Sequence, residues 1–280
     1  MTDPRPAPPP LARRVPPPAP AAARNGEPAP TFAVTKGRST GGPQRILIYG
    51  TGGIGKSSLA TTAPNPIFLD LEMGTRNLAV DRIHLSLFAD LRACLQSTAL
   101  DNYASVVLDS ITTVEEMAVA HTLATVLTER GELVSSVEGY GFGKGYQHVY
   151  ETVLLLMQDL DRHVRAGRNV ILLAHDCVND VPNPAGENFI RFEPRLQSPK
   201  SGKSSIRHRI IEWADHVLFV GYDVAATKAG KGIGGGTRTI YPAERPAHIA
   251  KSRSLPDEPI IYASPDDGAV WPLIFGGVSK

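Results

Sequence analysis

The chain has 280 residues, of which 42% are hydrophobic and 20% charged, so it is long enough to bury a full core as a soluble globular protein. Lys and Arg number 29 against 28 Asp and Glu, so only a local cluster would attract nucleic acid. Cys94 and Cys177 lie far apart, which argues against a disulfide framework or a zinc site. No apolar stretch approaches the roughly 20 residues that span a bilayer, and we expect a cytosolic protein without membrane contact.

Composition divides the chain into three parts. Residues 1–43 hold half of the 24 prolines and few large apolar side chains, which predicts a disordered Pro/Ala/Arg-rich tail. Residues 44–265 alternate short apolar runs with helical stretches, which is typical of an α/β domain with a parallel sheet and helices on both faces. Residues 266–280 are expected to form a C-terminal extension.

Periodicity predicts the elements of this domain. The predicted strands are Arg45–Tyr49, Pro66–Leu71, Ser105–Leu108, Asn169–Ala174 and His216–Gly221, followed by Thr237–Tyr241, His248–Ala250 and Pro259–Ala263. The predicted helices are Lys56–Thr62, Leu87–Ala99, Val114–Arg130 and Gln147–Ala166. The glycines at 230, 232 and 234–236 predict a mobile loop.

The first strand leads directly into a complete GxxxxGK[ST] motif, a highly specific signal for a phosphate loop. Glycines let the backbone wrap the phosphates of ATP, so that N–H groups and the next helix N-terminus face the negative charge. We expect Lys56 to reach the β- and γ-phosphates and Ser57 to bind Mg²⁺. The predicted ATP-binding residues are Gly50, Thr51, Gly52, Gly53, Ile54, Gly55, Lys56, Ser57 and Ser58.

Two further acids follow apolar strands. Asp109 ends the run from Val106 to Leu108 and is the candidate for a second Mg²⁺ contact; the alternative is a cap of the next helix. The strand Pro66–Leu71 lies between this motif and the phosphate loop in the sequence, an addition typical of ATPases with a catalytic glutamate. It leads to Glu72, a candidate general base, unless Asp70 and Glu72 are solvated strand-end acids.

With these motifs in this order, the chain resembles the RecA-like P-loop ATPases, and most closely the short phage ATP-binding proteins of single-strand annealing and recombination. In that resemblance His175 occupies the place of the polar sensor of the γ-phosphate, although a strand-end histidine is often only a satisfied polar residue. Lys251 and Arg253 are similar to the basic pair that reaches ATP across a subunit interface. The resemblance therefore implies a homo-oligomer with active sites between subunits, acting in the cytosol of a bacterium or of a phage's host.

The chain departs from the full-length recombinases at two places. Phe32–Val34 is at best a fragment of their polymerisation strand, and no separate C-terminal DNA-binding domain follows the last strands.

The resemblance also implies two loops that bind single-stranded DNA, residues 131–146 and 176–209. The first alternates glycines with aromatic residues that can stack on bases, and the second holds a local excess of basic residues. The alternative is an active-site lid with a solvated loop. The candidate DNA contacts are Tyr140, Phe142, Lys144, Arg195, Lys200, Lys203 and Arg207.

The sequence thus favours a Mg²⁺-dependent ATPase that binds single-stranded DNA in phage-type recombination or annealing. Two alternatives remain open: a hexameric helicase-like motor on the same core, and a nucleotide-gated switch or scaffold with weak turnover whose tail recruits a partner.

Overall fold

The computed structural model describes residues 41–184, 186–200, 202–226 and 232–276. Residues 41–43 apart, the proline-rich tail lies outside the described residues, and so do Phe32–Val34 and Gly230. Within the described residues, nine strands belong to one sheet. They are β1 (Arg45–Gly50), β2 (Pro66–Asp70), β3 (Asp81–His84), β4 (Ser105–Asp109), β5 (Asn169–Val181), β6 (Phe189–Pro194), β7 (His216–Ala226), β8 (Gly232–Tyr241) and β9 (Ile260–Tyr262).

Helices cover both faces of this sheet. They are α1 (Lys56–Thr61), α2 (Phe88–Gln96), α3 (Ile111–Thr125), α4 (Lys144–Arg165), α5 (Ile206–Trp213) and α6 (Val270–Phe275), with a short 3₁₀ helix at Val137–Tyr140. Because side chains alternate along a strand, β1 sends Leu47 and Tyr49 into the core formed with α2 to α5, and Ile46 and Ile48 into the core formed with α1 and α6. All four side chains are fully buried, as expected of a parallel strand covered on both sides.

The strand order is β3-β2-β4-β5-β1-β7-β8-β9, with β6 paired to β5 alone. The six strands β3, β2, β4, β5, β1 and β7 run parallel to one another. β6 pairs antiparallel with β5, β8 with β7, and β9 with β8. The strand that separates β1 from β4 in the sheet is β5, although β2 lies between them in the sequence. The parallel strands therefore bring the ends of β1, β4 and β2 to one edge, which we call the carboxyl edge.

Two hairpins project from this edge on either side of β1. Gly50, the last residue of β1, is in register with His175, and β5 continues to Val181 before it turns back into β6. β7 pairs with β1 as far as Phe219 and then continues to Ala226 against β8. The segment that follows Gly50 therefore starts between two longer strands.

The predicted α/β fold with a parallel sheet and helices on both faces is confirmed. Some elements differ, because hairpins that extend past the buried core carry no continuous apolar run. The predicted DNA loop 176–209 contains the end of β5, all of β6 and the start of α5, and the predicted loop 131–146 contains the 3₁₀ helix and the start of α4. Gly232 and Gly234–Gly236 lie in β8 rather than in a loop. His248–Ala250 forms no strand: His248 takes part only in isolated bridges with Phe192 and Arg245.

Candidate active site

The segment after β1 wraps closely because its glycines leave room for neighbouring groups. A Cβ on Gly50 would lie 2.2 Å from the backbone oxygen of Val220, so no other residue fits there without a shift of the backbone. Gly55 has φ +105, a conformation that favours glycine, and a Cβ there would lie 3.1 Å from the ring of Tyr262. Tyr262 is buried and donates its hydroxyl to the Gly55 oxygen at 3.1 Å. β9 therefore supports the loop from behind.

Lys56 is the first residue of α1 and is almost fully buried. Its Nζ donates to the backbone oxygens of Gly50 at 2.8 Å and of Thr51 at 2.9 Å, so the ammonium lies within the curve of the loop. Burial lowers the pKa of Lys56, while the nearby charges of Asp109, Asp176 and Glu72 oppose that shift.

Asp109, at the end of β4, meets the first turn of α1. Ser57 Oγ donates to Asp109 Oδ2 at 2.7 Å. Burial raises the pKa of Asp109, and the hydrogen bond from Ser57 acts in the opposite direction. The cap of α3 is Ser110, whose Oγ accepts from the backbone N–H of Thr113, so the Asp109 carboxylate is not the cap. Its partner in the structure is the hydroxyl of the phosphate-loop serine.

Glu72 follows β2 at the same edge and is held by three side chains. Its Oε1 accepts hydrogen bonds from Ser110 Oγ and, at 2.6 Å, from Thr113 Oγ1, while Nε2 of His175 lies 3.4 Å from Oε2. Partial burial raises the pKa of Glu72, but these hydrogen bonds and the His175 charge outweigh it, and the net pKa is lowered. The backbone N–H of His175 donates to Thr112 Oγ1 at 3.1 Å. The carboxylate is thus oriented and stays ionised.

Asp70 is only 2% exposed and has an internal role. Its carboxylate accepts hydrogen bonds from the backbone of Gly74 at 3.2 Å and from the Thr75 side chain. The alternative that Asp70 is a solvated acid is therefore wrong, because its hydrogen bonds hold the turn that carries Glu72.

The sequence model of the AAA domain matches residues 42–254, which include every element of this edge. The chain belongs to the AAA domain family. The family match and the strand order together confirm the expectation of a RecA-like P-loop ATPase. Membership of this family implies nucleotide binding. The phage subgroup remains a prediction.

This AAA domain is similar to two solved structures. The KaiC-like protein PH0186 from the hyperthermophilic archaeon Pyrococcus horikoshii OT3 shares 13% identity, with 80% of this chain and 88% of that chain covered and a TM-score of 0.43. The RadB recombinase shares 13% identity, with 81% and 90% covered and a TM-score of 0.39. No curated protein matches the chain. In the described part of the AAA domain, no helix combines the length and apolar character that crossing a membrane requires.

Lys251 and Arg253 lie at the edge of the sheet opposite to the phosphate loop. The backbone of Lys251 pairs with Val217, near the start of β7. Lys251 Nζ donates to the backbone oxygen of Glu212 at 3.3 Å. Arg253 Nε lies 3.3 Å from Asp215 Oδ1, and 70% of the Arg253 side chain is exposed. Neither cation belongs to the phosphate site of its own AAA domain.

The two predicted DNA loops meet at one surface cavity of about 300 Å³. It is lined by Phe142, Lys144 and Lys203 among others, and Phe142 is fully exposed. Lys200 lies three residues before Lys203 in the chain, and Arg195 follows β6 directly. All three of these basic side chains are exposed. None of them forms a salt bridge with the described residues. We call residues 195–200 and 202–207 the basic segment.

Two of the predicted DNA contacts point into the protein instead. Tyr140 Oη donates to the backbone oxygens of Thr122 at 3.1 Å and of Val126 at 2.8 Å, at the end of α3. Arg207 pairs with the buried carboxylate of Glu193. Lys144 remains outside but pairs with Glu129 at 2.5 Å.

Sequence reasoning missed three residues that shape the site, namely Thr113, Tyr262 and Trp271. Thr113 had a usable signal, because a residue three positions after a cap faces the same end of the helix as the cap. Tyr262 and Trp271 had none, since they reach α1 from more than 200 positions away in the sequence.

Proposed function

We propose that this AAA domain is a Mg²⁺-dependent ATPase that hydrolyses ATP at the carboxyl edge of its sheet. The observation that carries the proposal is the 2.7 Å hydrogen bond between Ser57 and Asp109, with the oriented carboxylate of Glu72 at the same edge. A phosphate-loop hydroxyl, a buried carboxylate and a second ionised carboxylate form the set of groups that ATP hydrolysis requires.

The donor set at Ser57 and Asp109 fits Mg²⁺, because this hard cation takes oxygen ligands, uses few protein groups and keeps several waters. When bound, Mg²⁺ would neutralise charge on the phosphates. Lys56, which now donates to the loop carbonyls, would donate to the β- and γ-phosphates. The backbone N–H groups of the loop would bind the remaining phosphate oxygens.

We assign Glu72 the role of general base. Its lowered pKa keeps it ionised at neutral pH, and its two oxygens have different neighbours. Oε1 accepts from Ser110 and Thr113, whereas Oε2 has no hydroxyl partner among the described residues; Nε2 of His175 lies 3.4 Å from both oxygens. Oε2 is therefore the atom we expect to accept the proton of the attacking water. His175, next to the base and in register with Gly50, is the proposed γ-phosphate sensor.

The partner we propose is single-stranded DNA in phage-type recombination or annealing. The exposed ring of Phe142 beside Lys203 offers stacking and phosphate contact around one cavity, and Arg195 and Lys200 extend the positive surface. Such a surface provides salt-dependent affinity for a strand without reading its sequence. Both cysteines are free thiols, in keeping with a cytosolic protein.

We also propose a homo-oligomer in which Lys251 and Arg253 act on the ATP of the neighbouring subunit. Their position at the edge opposite to the phosphate loop supports a role in trans rather than in cis. Cations that approach the transferring phosphoryl group stabilise its charge.

The experiment that tests the proposal is steady-state ATP hydrolysis with and without Mg²⁺, in the presence of single-stranded DNA, duplex DNA or neither. We expect Mg²⁺-dependent turnover that single strands stimulate selectively. Turnover that is indifferent to DNA would overturn the DNA partner and favour the switch or scaffold. Processive unwinding of duplex DNA would favour the helicase-like motor.

A further inference from the structure

Gln197 joins three separate segments of the protein. Its backbone N–H donates to Glu115 Oε2 at 2.6 Å, which links the start of the basic segment to α3. Its side-chain Nε2 donates to the backbone oxygens of Tyr146 at 3.0 Å, in the first turn of α4, and of Ser204 at 2.8 Å. One half-buried residue therefore joins the two halves of the basic segment to each other, to α3 and to the first turn of α4.

The helix that Gln197 contacts also carries the groups that hold Glu72. Ser110 and Thr113, at the start of α3, both bind the Glu72 carboxylate, and Thr112 accepts the backbone N–H of His175. Glu115 lies two residues after Thr113 in the same helix, so the contact with Gln197 and the hydroxyls that hold Glu72 share the first two turns of α3.

Burial and charge make the contact between Gln197 and Glu115 energetically important. Burial raises the pKa of Glu115, and the hydrogen bond from Gln197 and the charge of Arg207 oppose that shift. When the hydrogen bond breaks, a half-buried carboxylate loses its strongest neutral partner. Loss of this hydrogen bond would therefore cost free energy, so the contact favours one position of the basic segment against α3.

We propose that Gln197 is a positioning residue that couples occupancy of the basic segment to the orientation of Glu72 through Glu115 and α3. This rests on the proposed function, because it takes ATP hydrolysis and single-stranded DNA as the two coupled events. Binding of a strand at Lys200 and Lys203 would shift the segment that Gln197 fixes, and α3 would carry that shift to Ser110 and Thr113.

The test compares wild type, Gln197→Met and Glu115→Gln. Methionine keeps the length of the side chain and removes the Nε2 donor that holds Tyr146 and Ser204, while the backbone N–H to Glu115 stays. Glu115→Gln keeps the shape of that side chain and weakens the acceptor of the backbone N–H. The matched control is Gln96→Met, since the Gln96 side chain donates a hydrogen bond to Asp159 at 2.9 Å, between α2 and α4 and away from the basic segment. The readouts are ATP turnover with and without oligo(dT), oligo(dT) affinity, and amide exchange of residues 195–207 with and without a non-hydrolysable ATP analogue.

We expect Gln197→Met to lose at least about 5-fold of the stimulation by oligo(dT), the lower range of allosteric coupling. Basal turnover, KM for ATP and oligo(dT) affinity should stay within about 2-fold, and Glu115→Gln should be intermediate. If oligo(dT) stimulates ATP turnover in both variants as much as in the wild type, the inference is overturned.

If oligo(dT) does not stimulate the wild type, the proposed DNA partner fails, and amide exchange decides the inference separately. We expect the ATP analogue to change exchange in residues 195–207 of the wild type and of Gln96→Met, but not of Gln197→Met. An equal change in all three proteins, or none in the wild type, overturns it.

Discussion

Ser57 Oγ donates to Asp109 Oδ2 at 2.7 Å, which joins the first turn of α1 to the end of β4 across the carboxyl edge. β5 separates the two parent strands in the sheet, so this contact depends on the loop after β1 reaching over a neighbouring strand. The buried Asp109 carboxylate has no other hydrogen-bond partner among the described residues.

Removal of the Ser57 hydroxyl should impair Mg²⁺ binding without changing the fold. We predict that Ser57→Ala lowers ATP turnover by about 100-fold, the usual cost of losing one preorganised group at a phosphoryl-transfer site. The measurement is turnover as a function of Mg²⁺ concentration. Thr61→Ala is the control, because among the described residues that hydroxyl bonds only the Ser58 backbone oxygen, within α1. Equal turnover in wild type and Ser57→Ala would remove Ser57 from the Mg²⁺ site.

Trp271 should be a principal support of α1. Its ring is almost fully buried, and Nε1 donates to Thr62 Oγ1 at 2.8 Å. We predict that Trp271→Ala lowers the free energy of unfolding by about 3–5 kcal/mol, as for other large-to-small core changes. Urea denaturation measures it, and Leu273→Ala, on the same helix with 41% exposure, should cost under about 1 kcal/mol. A similar cost for both would show that burial of the indole does not matter.

His216 should make stability depend on pH. The ring is fully buried between Ser252 Oγ at 2.8 Å and Gln44 Oε1 at 3.2 Å, and burial lowers its pKa to about 4. The unfolded chain takes up this proton near pH 6.5. The contribution of the neutral His216 ring to the free energy of unfolding is therefore complete above about pH 6.5 and is lost as the pH falls toward about 4.

We predict that this residue accounts for about 2 kcal/mol of the stability lost between pH 7.5 and 5. The measurement is the free energy of unfolding in urea at both pH values for wild type and His216→Gln. The variant should lose less stability on acidification than the wild type. An identical loss in both proteins would mean that His216 does not titrate in this way.

The sequence predicts the central strands and the phosphate loop, but it does not predict which side chains meet at the site. The strands that became β1, β2, β4, β5 and β7 follow from short apolar runs, since burial on both faces leaves a local signature. The partners of Glu72 and the position of Lys251 and Arg253 depend on strand order, which no local pattern contains. β6 was missed because it lies in a hairpin outside the core and has no continuous apolar run, and its large residues Ile190 and Phe192 are exposed.

The basic segment should account for the salt dependence of strand binding. We predict that the double variant Lys200→Ala, Lys203→Ala weakens oligo(dT) binding and reduces the slope of log affinity against log salt by about 1.4. Fluorescence anisotropy at several salt concentrations measures it. Arg165→Ala, an exposed cation at the last residue of α4, should leave the slope unchanged. If the double variant also keeps the wild-type slope, the segment is only solvated.

The central claim is that Glu72 is the base of ATP hydrolysis, and Glu72→Gln tests it most directly. Glutamine keeps the shape of the side chain but does not accept a proton from water at neutral pH. The measurement is single-turnover ATP hydrolysis with Mg²⁺, together with ATP affinity, for wild type, Glu72→Gln and the control Glu258→Gln, an exposed carboxylate. We predict that Glu72→Gln binds ATP like the wild type and hydrolyses it at least about 100-fold more slowly, at the lower end of general-base effects. Hydrolysis at the wild-type rate in Glu72→Gln would contradict the account.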